Sequence, residues 1–212
     1  MVNEFARNVA TSAEEAARIA PRAEFRVFGR NIIRGVQERM WNGRTILGQA
    51  RTMPPEIYFL SRHTDEANVK VRDDLLDIKV KVGETTDGYE IFQPRGKFNF
   101  PVDREALSTI LASLRTDAPL ASATCRFQDF LAMTKANPDL AAVTVEKIRY
   151  GFTIDGIVCE YAKVWFNGAL LESACAESED YGGLKTVVEE LGLAVMANTN
   201  YLKAAKTVVG MR

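Results

Sequence analysis

The stretch Val143–Asp180 reads VTVEKIRYGFTIDGIVCEYAKVWFNGALLESACAESED, and it divides at Asp155-Gly156 and Asn167-Gly168 into three extended runs. Asp-Gly and Asn-Gly between apolar-rich runs are strong hairpin signals, because both central positions of the tight turn need a positive φ. An antiparallel meander is therefore expected here. Residues two apart in a strand share a face, so Lys147 and Arg149 project together, and Glu160 and Glu172 are expected to join them from the next two strands. Ile148, Val158 and Leu171 are expected on the opposite, apolar side. Two cations and two carboxylates on one face suit a phosphate chain held with a divalent metal, since cations grip phosphate oxygens and carboxylates supply hard oxygen ligands. Cross-strand ion pairing on a solvated face is the competing explanation, and both stand at this point.

Upstream, the same alternation recurs. AEFRVF over Ala23–Phe28 reads as a first strand, and Ile32, Ile33, Val36 and Met40 follow at helical spacing. Pro54-Pro55 precede a second strand, EIYFLS, at Glu56–Ser61. In NVKVRDDLLDIKVKV, Lys70 and Arg72 alternate with Val69 and Val71, and Lys79 and Lys81 with Ile78 and Val80, around a turn at Asp73-Asp74. Four cations on adjacent strands repel one another unless an anion lies between them. That anion is either a ligand or nearby carboxylates such as Asp77 and Glu90. Tyr89–Phe92 forms another strand, and Lys97–Val102 extends the sheet.

The helices are marked by caps and apolar stripes. Ser12 with Glu15 makes a capping box ahead of Pro21, and Asp103 caps a helix carrying Leu107, Ile110, Leu111 and Leu114. A helix over 124–136 uses Phe127, Phe130 and Leu131, and another carries Leu184, Val187, Val188 and Leu191. Asn198 or Thr199 is expected to cap a last helix bearing Tyr201, Leu202, Ala205, Val208 and Val209. About eight strands with helices kept outside them give an α+β fold built on an eight-stranded antiparallel β-barrel or tunnel. The expected organisation is an N-terminal helical extension over 1–20 and a single tunnel domain over 21–212, with a helical insertion at about 103–137.

Composition narrows the chemistry. With 47% apolar and 26% charged residues among 212, the chain is an ordinary globular protein, and a net charge of -1 argues against general affinity for nucleic acid or acidic membrane. Arginines at 22, 26, 30, 34, 39, 44 and 51 are interspersed with acids and read as solvated faces rather than a nucleic-acid arm. No apolar run approaches the roughly 20 residues of a spanning helix, and a cytoplasmic location is expected. Cys125, Cys159 and Cys175 show neither a disulfide framework nor a metal knuckle, so buried free thiols are expected. The single histidine, His63, lies in the polar loop SRHTDEAN without the context a catalytic histidine needs, and no glycine-rich phosphate loop occurs. Any chemistry rests on carboxylates, amines and guanidiniums.

The succession EFRVF, helix, EIYFLS, NVKVR, DIKVK, EKIRYGF, CEYAKVWFNG and LLES resembles the CYTH superfamily, the triphosphate tunnel metalloenzymes, over about Ala23 to Gly210. That resemblance implies an eight-stranded tunnel whose basic side chains grip a triphosphate while acidic ones bind Mg2+ or Mn2+. Carried over by position, Lys70, Arg72, Lys79, Lys147 and Arg149 resemble the family's phosphate-gripping cations. Glu160 is similar in placement to the acid before the turn, and Glu172 to the first acid of the closing Glu-x-Glu. The implied metal set is Glu24, Glu160 and Glu172, with Glu160 and Glu172 as the catalytic carboxylates.

The chain departs from the family pattern at three places. The first-strand Glu-x-Glu-x-Lys reads Glu24, Arg26, Phe28; the closing Glu-x-Glu reads Glu172, Ser173, Ala174; and Asn200 precedes Tyr201 where a basic residue is usual. Arg26 removes a hard oxygen ligand and adds a charge that repels metal, and it is counted here among the residues that bind phosphate directly. Two functions follow. One is a divergent metal-dependent phosphohydrolase acting on a triphosphate-containing small molecule. The other is a non-catalytic module that binds a polyphosphate, a nucleotide or a phosphorylated partner. An interaction domain whose charges pair internally is a third.

Overall fold

A computed structural model describes residue 15 and residues 18–117 and 123–211. The capping box at Ser12 lies outside them. Eight strands, β1 (Arg22–Gly29), β2 (Thr45–Ser61), β3 (Thr64–Arg72), β4 (Leu75–Glu84), β5 (Glu90–Asn99), β8 (Leu140–Ile154), β9 (Ile157–Phe166) and β10 (Ala169–Ser178), form one closed ring. The order around it is β1-β10-β9-β8-β2-β3-β4-β5, every pair is antiparallel, and β5 closes on β1 through Arg22 opposite Phe92. A separate two-stranded piece joins β6 (Val102–Asp103) to β7 (Thr124–Cys125).

The meander turns as its sequence dictates. Asp155-Gly156 and Asn167-Gly168 all have positive φ, at 49° and 81° and at 48° and 84°, so both are two-residue turns that fix the register of β8, β9 and β10. Asp73 and Asp74, with φ of 52° and 59°, make the equally tight turn from β3 to β4. Pro54 and Pro55 lie inside β2 rather than ahead of it, since the strand already begins at Thr45. Up to Met53, β2 pairs only with β8, and the register shifts between Met53 and Glu56. The missing proline N–H groups therefore fall at an irregularity beside an unpaired edge, where they break no ladder bond.

Two apolar layers cover the outside of the ring. Phe25 and Val27 of β1 pack with Ile32 and Val36 of α1 (Ile32–Arg39) and with Leu184, Val187 and Val188 of α4 (Tyr181–Glu190). Phe59, Val69 and Ile78 pack with Ile110 and Leu111 of α2 (Arg104–Ser113) and Phe130 of α3 (Phe127–Ala136). The last helix, α5 (Tyr201–Val209), does not stay outside as expected. Its Leu202, Ala204 and Ala205 are buried with Leu60, Val143, Val145, Val164 and Phe166, on the inner side of the ring, so α5 stoppers one end of the barrel. Asn200, rather than Asn198 or Thr199, caps it, accepting from the N–H groups of Leu202 and Lys203. Among the described residues no helix is long and apolar enough to cross a membrane.

Candidate functional site: a charged lumen above the helical stopper

The strands that hold α5 change character halfway along. On β8 the inner face runs Val143, Val145, Lys147, Arg149; on β9 it runs Phe166, Val164, Ala162, Glu160; on β2 it runs Leu60, Tyr58, Glu56. Above the stopper these side chains enclose a cavity of about 310 Å³ lined by six cations, Arg26, Lys70, Arg72, Lys79, Lys147 and Arg149, and by the carboxylates of Glu24, Asp77, Glu160 and Glu177. All six sequence-derived phosphate-binding candidates therefore share one lumen. Lys81 does not join them, because it meets Glu84 and Glu90 nearer the stoppered end. Asp77 lines the cavity as a carboxylate among those cations, and Glu90 serves Lys81, Lys203 and Asn200 instead.

Glu56 is the first hub. Only 1% exposed, it accepts from Lys70 Nζ at 2.9 Å, from Arg72 Nη1 at 3.4 Å and from Lys147 Nζ. Burial pushes its carboxyl up, but Lys147 and then Lys70 outweigh that and bring it down to about 2. Lys147 is 8% exposed and also donates to Tyr58 Oη at 2.9 Å, with its Nζ 4.4 Å from the centre of the Tyr201 ring. Burial, then repulsion from Lys70, pulls its ammonium down to about 7 against the attraction of Glu56. One carboxylate shared by three cations leaves the group short of negative charge.

Arg26 is the second hub. Its Nε donates to Glu24 Oε1 at 2.7 Å, its Nη1 to Glu160 Oε1 at 3.4 Å and Ser173 Oγ at 3.3 Å, and its Nη2 to Cys175 Sγ at 2.9 Å. Its guanidinium carbon lies 4.7 Å from the centre of the Tyr201 ring, so Tyr201 faces both Arg26 and Lys147. Glu160 gives its other oxygen, Oε2, to Arg149, which at 44% side-chain exposure stands at the mouth. Burial raises the Glu24 carboxyl, but Arg26, then Lys79 and Arg149, hold it below its ordinary value.

Glu172 is elsewhere. The turn at Asn167-Gly168 sets Phe166 opposite Ala169, which puts Cys175 opposite Glu160 and Glu172 opposite Lys163. Glu172 is therefore on the outer face, where its Oε2 accepts from the Ile33 N–H at 3.0 Å. The same registers move Val158 and Leu171 off the expected outer apolar side: Val158 shares Glu160's face, and Leu171 packs with the inner cluster around α5. Cys125, Cys159 and Cys175 are free and buried.

The implied metal set Glu24, Glu160 and Glu172 does not fit a divalent cation. Glu172 faces away, both oxygens of Glu160 are taken by arginines, and the Arg26 guanidinium reaches both remaining carboxylates. Among the described residues no group of three or more His, Cys, Asp or Glu side chains forms a metal-ligating cluster. Sequence reasoning missed Glu56 and Tyr58 as lumen residues, although both lie on the face of β2 opposite Ile57 and Phe59 in EIYFLS. It also missed Ser173 and Cys175, which the turn register alone would have placed inward.

A closed antiparallel tunnel with a cation-rich lumen is the class that fold and site define. Several solved structures are similar to this chain at low identity. A conserved hypothetical protein from Pyrococcus furiosus is 14% identical, with 85% of this chain and 98% of that one covered and a TM-score of 0.47. A Hippeastrum protein described as a candidate adenylyl cyclase with a dominant triphosphatase activity is 8% identical, with 92% and 97% covered and a TM-score of 0.48. A protein from Pyrococcus horikoshii is 12% identical, with 87% and 98% covered and a TM-score of 0.46. No protein-family model matches the sequence, and no curated protein does.

Proposed function

We propose that the lumen binds the phosphate chain of a triphosphate- or polyphosphate-containing small molecule. The observation that carries this is the convergence of Arg26, Lys70, Arg72, Lys79, Lys147 and Arg149, from four strands, on one cavity that holds four carboxylates of its own. Glu56 beside it is shared among three cations. Partly desolvated cations in excess favour a polyanion that can accept several charge-assisted bonds at once. Binding is favoured over the metal-dependent hydrolysis that the family resemblance implies. Hydrolysis through the residues first singled out needs Glu160 and Glu172 in one site, and they lie on opposite faces of the sheet.

The test is thermal melting with sodium tripolyphosphate, followed by calorimetric titration. At one hundred times its dissociation constant a ligand stabilises by about 2.7 kcal/mol, which for a chain of this size means a rise of roughly 5–10 °C. Arg72→Ala is expected to cut the affinity about tenfold, the loss of one charge-assisted contact of 1.5–3 kcal/mol in part offset by solvent. No saturable shift with the wild-type chain would remove the proposal. Phosphate release from tripolyphosphate, abolished by Glu160→Gln, would show instead that the lumen cleaves what it binds.

A further inference from the structure

Of the four carboxylates that line the lumen, Glu24 and Glu160 share one cation and lie where an incoming polyanion would be repelled, so something positive has to stand between these acids and the ligand. In this chain it is part of the backbone-anchored protein itself. The Arg26 side chain is bonded to Glu24, Glu160, Ser173 and Cys175 and stacked on Tyr201. Its main-chain N–H donates to Asn198 Oδ1 at 3.0 Å and its carbonyl accepts from Thr199 N–H at 2.7 Å, which ties β1 to the segment leading into α5. At 5% exposure this guanidinium has no freedom to leave, and no proton to lose under any ordinary condition.

We propose that Arg26 is a built-in cation standing in for a dissociable one, and that the tunnel takes its polyanion free of divalent metal. The inference rests on the anion-binding function above and specifies the ionic form of the ligand. The guanidinium is bonded to both of these acids and Arg149 takes the other oxygen of Glu160, so a metal brought in with the ligand meets a cationic wall at this place instead of a carboxylate cradle. In solution Mg2+ then competes with the protein for the anion. Removing the guanidinium frees Glu24 and Glu160 toward the same space and turns their surroundings into a place where a divalent ion gains from entering.

The experiment has two arms. In the first, Mn2+ alone is titrated into the protein and followed by calorimetry and by its electron paramagnetic resonance. Wild type is expected to show no saturable lumen site, and Arg26→Ala to gain one that a further Glu160→Gln removes. Saturable Mn2+ binding by the wild type that Glu160→Gln abolishes would overturn the proposal, and so would a folded Arg26→Ala chain that binds no Mn2+. In the second, which needs no variant, tripolyphosphate is titrated into the wild type in EDTA and again with Mg2+ in excess of the anion. The apparent dissociation constant is expected to weaken at least about tenfold with Mg2+, because the free anion is depleted by mass action. Tighter binding with Mg2+ would overturn it. Absence of tripolyphosphate binding in both buffers would defeat the anion-binding function itself, and the Mn2+ arm would still decide what Arg26 does.

Discussion

The two ends of this barrel are made from the same strands and treat water in opposite ways. At one end Phe166, Val164, Val145 and Leu60 close around α5; a few residues along, the same inner faces carry Glu160, Lys147 and Glu56. The pairing of β8, β9 and β10 runs without a register shift across the change, so along these strands it is the side chains and not the backbone that decide which half is dry. Tyr58 and Tyr201 mark the border, their rings against the apolar cluster and the Lys147 ammonium within reach of both. The comparison teaches why the charged half tolerates so much buried charge: the apolar half supplies the packing that holds the ring closed while the lumen residues repel one another.

The heaviest blow to that division of labour should fall on the dry end. Phe166 is fully buried and meets Phe28 and Tyr201 at ring-centroid distances of 5.9 and 6.2 Å. Phe166→Ala is expected to cost about 3–5 kcal/mol, seen as a large drop in melting temperature. Tripolyphosphate should still add its usual increment to whatever folded chain remains. A mild loss of stability together with abolished anion binding would mean that the stopper serves the lumen directly.

At the wet end the sharpest probe is pH. Lys147 has its ammonium drawn down to about 7, by burial first and by Lys70 next. Since the folded value lies below the ordinary 10.5, the strain of charging it is fully present below about pH 7 and is relieved as pH rises toward 10.5. A bound polyanion restores the charge, so affinity should fall as pH rises through 7, on the order of tenfold between about pH 6.5 and 8.5. The ligand titrates too, and Lys147→Arg, which keeps its charge throughout, separates the effects. Calorimetric titrations that give wild type and Lys147→Arg the same pH dependence would remove Lys147 from the binding set.

Much of this was legible from residues alone. Asp155-Gly156 and Asn167-Gly168 specified two-residue turns because only residues tolerant of positive φ sit there, and alternation in NVKVR and DIKVK placed Lys70, Arg72 and Lys79 on one face. The position of α5 was not legible: a stripe of Tyr201, Leu202, Ala205 and Val209 looks the same whether it packs outside a sheet or inside a ring. Glu56 was hidden for a related reason. A lone carboxylate at the start of EIYFLS reads as an exposed strand end until β3 and β8 bring Lys70, Arg72 and Lys147 to it from distant sequence. Glu172 was set beside Lys147, Arg149 and Glu160 without the register of the Asn167-Gly168 turn, and counting forward from that turn sends it outward.

Glu172 therefore gives the smallest effect and the cleanest check of register. Asn31, at the N-terminus of α1, is left-handed with φ of 61° and makes no side-chain cap. The carboxylate of Glu172 reaches over from β10 and accepts the Ile33 N–H in its place, close to the positive end of the helix dipole. Losing a cap of this kind costs about 1 kcal/mol, so Glu172→Gln, whose amide oxygen still accepts, should lower the melting temperature less than Glu172→Ala. Neither should change the tripolyphosphate dissociation constant, because the side chain is on the far side of the sheet from Arg26 and Arg149. An effect of either variant on anion affinity comparable to that of Glu160→Gln would mean that β10 pairs with β9 one residue out of step from the register found here, and with that Ser173 and Cys175 would leave the lumen as Glu172 entered it.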